Sequence, residues 1–116
     1  MTPAEFRTLR TALGLTCQQV ARIHEVNLRS VQRWEVNRTP PDDVVAWLLD
    51  RWHAVANRVG DVLDLAEKGE LKPLIAYRHD SQCEHLGMTA SEHAALLGHI
   101  CMALTQCDYD FEVVEA

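Results

Sequence analysis

Apolar residues recur three and four positions apart along most of the chain, the spacing of helices that pack on one side. The first run is Phe6, Leu9 and Leu13. Thr2-Pro3-Ala4-Glu5 precedes it: Thr2 suits a cap, Pro3 fits the first turn, and Glu5 completes a capping box. Gly14 supplies a left-handed stop. Thr16 then predicts the cap of a second short helix, with Val20 and Ile23 facing inward, Ala21 closely packed, and an end near His24-Glu25-Val26. Asn27 predicts the cap of a third helix, from Leu28 to about Val36, with Val31 and Trp34 on its inner face. "NRTPP", residues 37–41, ends the series, because proline removes an N–H and clashes with the preceding turn.

After the prolines the pattern changes. Val45, Leu48, Trp52, Val55, Val59, Val62 and Ala66 alternate steps of three and four. This predicts a helix of roughly 26 residues, about 39 Å long, started by Asp42 or Asp43 and stopped by Gly69. Leu49, Ala56 and Leu63 widen the stripe, so two neighbours are expected. The remainder reads as mixed. Leu74-Ile75-Ala76-Tyr77 is a strand candidate, and Thr89-Ala-Ser-Glu92 is another capping box. It opens a helix with Ala90, Ala94, Leu97, Cys101 and Leu104 on one face. Tyr109, Phe111 and Val113 alternate with Asp108, Asp110 and Glu112, a period-two strand signal. The expected fold class is mainly α with a small α+β part. A helical domain over 1–41 leads into a long connecting helix, and a strand-helix-strand region completes 42–116.

The net charge of the 116 residues is −6, but it is unevenly spread. Residues 1–41 hold six arginines against three glutamates, a net of +3, whereas residues 42–116 hold five Lys/Arg against fourteen Asp/Glu, a net of −9. A basic head on an acidic body suits a nucleic-acid binder whose second part does something else. No 18-residue apolar run is present, so no membrane partner is expected. "MTPAEFRTLR" lacks a secretory apolar block, so a cytoplasmic location is expected. The four cysteines include no Cys-x-x-Cys pair and are expected as free thiols.

Three arginines fall within "NLRSVQRWEVNR", residues 27–38. Val31 and Trp34 anchor one side of the third helix, and Arg29, Gln32 and Arg33 fall on the opposite arc. The forked guanidinium and the paired groups of glutamine match the major-groove edges of guanine and adenine. Two short helices joined by a tight turn and braced by a first helix have the layout of a helix-turn-helix. Ala21 and Val26 are the small and medium apolar residues that such close packing needs.

"LGLTCQQVARIHEVNLRSVQRWEVNRTPP" resembles the Cro/cI-type (XRE-like) helix-turn-helix, over about residues 5–41. Leu13, Gly14, Leu15, Ala21, Val26, Val31, Trp34 and Glu35 carry the likeness. The resemblance implies base contacts from Leu28, Arg29, Gln32 and Arg33, and phosphate or capping roles for Gln18, Asn27, Asn37 and Arg38. It also implies a structural ion pair between Arg10 and Glu35. Cys17 departs from the family pattern, which often has a glutamine there, and receives no contact. "RSVQRWE" followed by "PPDDV", with a long helix and a small mixed part behind it, is similar to the YdiL-like group. That group includes anti-CRISPR-associated repressors. This likeness implies a C-terminal dimerisation region and an autoregulatory homodimer on an inverted-repeat operator of double-stranded DNA, controlling an anti-CRISPR operon.

Other classes compete with this one. An antitoxin that binds a protein toxin and represses its own operon would keep the same head. RNA is an additional target for the same basic surface. "HDSQCEH" gathers His79, Cys83 and His85, with His93 and His99 following, but neither zinc-ligand spacing nor His-Glu-x-x-His occurs. No metal or cofactor is expected, and the segment reads as an exposed loop. No phosphate loop, Gly-x-Ser-x-Gly elbow or repeated carboxylate pair appears, so no enzyme is expected.

Overall fold

The computed structural model describes residues 1–116, which form two compact units, Met1–His53 and Ala54–Ala116. It is mainly helical, with a small two-stranded parallel sheet. The division falls inside a helix rather than at the prolines.

The first unit begins with α1 (Pro3–Ala12), where Thr2 and Glu5 form the expected capping box and Gly14 lies in the left-handed region with φ 71°. Thr16 caps α2 (Cys17–Ile23), with Gln19 closing a second box, and Asn27 caps α3 (Leu28–Trp34). The core gathers Phe6, Leu13, Leu15, Val20, Ala21, Val31 and Trp34, joined by Val44 and Leu48 from the start of α4 (Asp42–Glu67). Phe6 meets Trp34 edge to face at 6.1 Å, which holds α1 on α3.

Four expectations change here. Ile23 is 48% exposed instead of facing inward. The next residue, His24, is half-buried, with its ring against Trp47 at 4.6 Å, and Val26 donates back to the Ala21 carbonyl, so the chain has already left the helix. Val26 itself stays partly open. The third helix stops at Trp34 rather than about Val36, because Val36, Asn37 and Arg38 all turn their N–H groups back to the Arg33 carbonyl. In α4, Val44 is buried where the spacing favoured Val45, since the core meets the 44/48 face. Ala56 is exposed.

The second unit packs Val55, Val59, Val62, Leu63 and Ala66 of α4 against Leu96, Ile100 and Leu104 of α6 (Ala90–Gln106). The expected face of α6 rotates accordingly: Leu104 is buried, but Ala94 is exposed and Leu97 and Cys101 are only half-buried. Leu96 and Ile100 bury far more apolar area than alanines can, so the larger face wins. β1 (Leu74–Ala76) pairs in parallel with β2 (Val113–Glu115), Leu74 opposite Val113 and Ala76 opposite Glu115. The α6 crossover makes this parallel pairing possible. The alternating stretch from Tyr109 to Val113 is not one strand. Tyr109 packs into the core cluster, while Phe111 and Val113 are 40% and 43% exposed. "HDSQCEH" is largely exposed, as expected, but it is not a loop: it forms α5 (Asp80–Cys83) and a 3-10 turn (Glu84–Leu86), with Cys83 fully buried.

Candidate nucleic-acid interface

The candidate surface is built on α3. Asn27 starts it by accepting from the Ser30 N–H at 2.9 Å and the Ser30 hydroxyl at 3.1 Å, which satisfies one of the helix's open donors. Val31 (0% exposed) and Trp34 (7%) fix one side of the rod in the core. Successive helical residues are about 100° apart, so Arg29, Gln32 and Arg33 are left on the other side, and all three are exposed. Leu28 is half-buried at the first position of the helix. The trailing segment adds exposed Asn37 and Arg38, whose backbone N–H groups both bond the Arg33 carbonyl, at 3.0 and 2.9 Å. Gln18 is exposed in the first turn of α2.

None of Arg29, Arg33 or Arg38 forms an ion pair within the chain. Their charge is therefore uncompensated at short range, the condition a phosphate-lined groove requires. Arg22, exposed near the end of α2, is a further cation that the motif does not single out. Trp34 is too buried to stack on a base.

Behind this face lies a polar clamp. The Arg10 guanidinium pairs with Glu35 through Nε and, at 3.3 Å, through Nη2, while Nη1 donates to the Leu15 carbonyl at 2.6 Å. The pair is mostly buried, with 16% and 12% of the side chains exposed. Arg7 donates to the Glu35 carbonyl at 3.3 Å. Arg10 is thus committed to holding α1, the α1–α2 turn and the end of α3 together. Cys17, to which the sequence pattern gives no contact, joins this clamp: its thiol donates to Glu35 Oε2 at 3.4 Å. Burial pushes the Cys17 thiol above its ordinary value; Arg10 opposes the shift and Glu35 adds to it. The thiol therefore stays protonated and able to donate. A lone cysteine carries no spacing signal, so only the folded geometry reveals this contact.

No three His, Cys, Asp or Glu side chains converge as metal ligands would, and no helix is long and apolar enough to cross a membrane. No family model matches the chain, and no curated protein is significantly similar to it in sequence.

Proposed function

We propose that the protein is a sequence-specific DNA-binding transcriptional repressor of the helix-turn-helix type. It acts as a homodimer on an inverted-repeat operator and regulates its own gene, in the manner of the anti-CRISPR-associated repressors it resembles. One observation carries this reading: α3 buries Val31 and Trp34 while leaving Arg29, Gln32 and Arg33 exposed on the other arc, with neither arginine in an ion pair. A helix of that form enters a major groove apolar side out and polar side down. Arg29, Gln32 and Arg33 read base edges, and Leu28 offers an apolar contact for a thymine methyl. Gln18, Asn27, Asn37 and Arg38 hold the register through phosphates. Arg10 and Glu35 keep the reading helix at a fixed angle on its support.

Two-fold symmetry of the protein would be mirrored in the DNA as half-sites about 34 Å apart, one helical turn. Selection from a random duplex library tests the proposal. Enrichment of an inverted repeat, found again upstream of the protein's own gene, is the expected result. A library that emerges without any enriched motif would sink it.

A further inference from the structure

The second unit contains a feature that DNA recognition does not use. A cleft of about 470 Å³ opens between the later part of α4, β1 and α6, within the size range of small-molecule sites. Its floor is apolar: Val62, Leu74, Leu96 and Ile100. Its polar groups are Arg58, Asp61, Tyr77 and His93.

Two of these groups are unusual. Residues 54–116 hold four Lys/Arg against eleven Asp/Glu, a net of −7, yet Arg58 forms no ion pair, not even with Asp61 three residues on. His93 sits against Tyr77 at 4.8 Å with its Nδ1 shielded from solvent and without a hydrogen-bond partner. An orphaned donor costs more than an orphaned lone pair, which places the ring proton on Nε2, the nitrogen still open to solvent. Burial lowers the basicity of this imidazole, and the charge of Arg58 and the nearby His85 lower it further, so the ring is neutral at pH 7. The cleft thus presents a guanidinium and a neutral N–H donor above an apolar floor. Such a set complements an acceptor carrying negative charge on an apolar body.

We propose that this cleft is a binding site for a small organic carboxylate, its charged end held by Arg58 and His93 and its chain lying over Val62, Leu74, Leu96 and Ile100. Asp61 tempers the affinity, because its carboxylate lines the same cleft. This site is independent of the DNA-binding reading and stands or falls without it.

Calorimetric titration of the full chain with octanoate, octanol and octylammonium tests the assignment. Saturable binding of octanoate, one per chain, is expected, with octanol weaker and octylammonium weakest. Arg58→Gln, an exposed change that leaves the core intact, should weaken octanoate about tenfold without altering octanol. Asp61→Asn should tighten octanoate. Equal binding of the three probes, absence of saturation, or an unchanged affinity in Arg58→Gln overturns the proposal. So does loss of self-association in Arg58→Gln, which would make the cleft a contact between copies.

Discussion

Arg29 and Gln32 lie one helical turn apart on the exposed side of α3, and the base-reading roles proposed for them can be separated from general affinity. A bidentate arginine–guanine pair discriminates by about 1–3 kcal/mol. Arg29→Ala is therefore expected to weaken binding to the selected operator by that amount while leaving random duplex nearly unchanged. Competition titrations measure both, and equal losses would remove Arg29 from the base-reading set. A second residue-scale expectation concerns His93, whose pKa lies below its ordinary value of 6.5 because of burial first and Arg58 and His85 next. A base with a depressed folded pKa takes up protons more readily when unfolded. Its contribution to stability is complete above pH 6.5 and is lost as pH falls through the folded value. Urea unfolding should show the wild type losing stability below that pH more steeply than His93→Gln. Parallel curves would mean that the half-buried ring is not felt.

Asn27 illustrates the element scale, where local chemistry decides whether a short helix forms. Two turns of helix are marginal alone, and α3 depends on its cap as well as on Val31 and Trp34. Asn27→Ala is expected to cost about 1 kcal/mol of stability, and Asn27→Ser, which keeps a capping oxygen, close to nothing. Denaturant midpoints check the pair. Stability lost equally in both would show that the cap is not what Asn27 supplies. The caps are legible in the residues themselves. Thr2, Thr16, Asn27 and Thr89 each accept from the residue three positions on, so the signal is complete within four residues. The turn between α2 and α3 is less legible. It places Glu25 at φ 54°, a left-handed conformation for which glycine is the usual sequence cue.

For the whole molecule, the relevant quantity is the distribution of charge. In the proposed complex Arg38 contacts a phosphate rather than a base, so its loss should act on every duplex alike. Each phosphate contact contributes about 0.9 to the slope of log affinity against log salt, so Arg38→Ala should flatten that slope by about 1.8 in a two-fold dimer. Salt titrations of anisotropy report the slope directly, and an unchanged value would take Arg38 off the phosphate list. The net charge of −6 predicts none of this. The exposed arginines on and beside α3 matter more than the total, because screening confines their influence to roughly 8–10 Å.

Sequence alone determined whatever depends on neighbours within a turn or two: the starts of the capped helices, the stops at Gly14 and Gly69, and α4 as one helix of 26 residues. Periodicity also separated the buried pair Val31 and Trp34 from the exposed arginines of α3. Tertiary structure decided which of two plausible faces meets a core. Val44 replaced Val45, Leu96 and Ile100 replaced Ala94 and Leu97, and His24 took the place expected of Ile23. It also decided that residues 113–115 rather than 109–113 pair with β1, and that Cys17 serves Glu35. The reason is common to all of these: a helical or extended period fixes spacing, but only the packed partner chooses the side and the register that bury the most apolar surface.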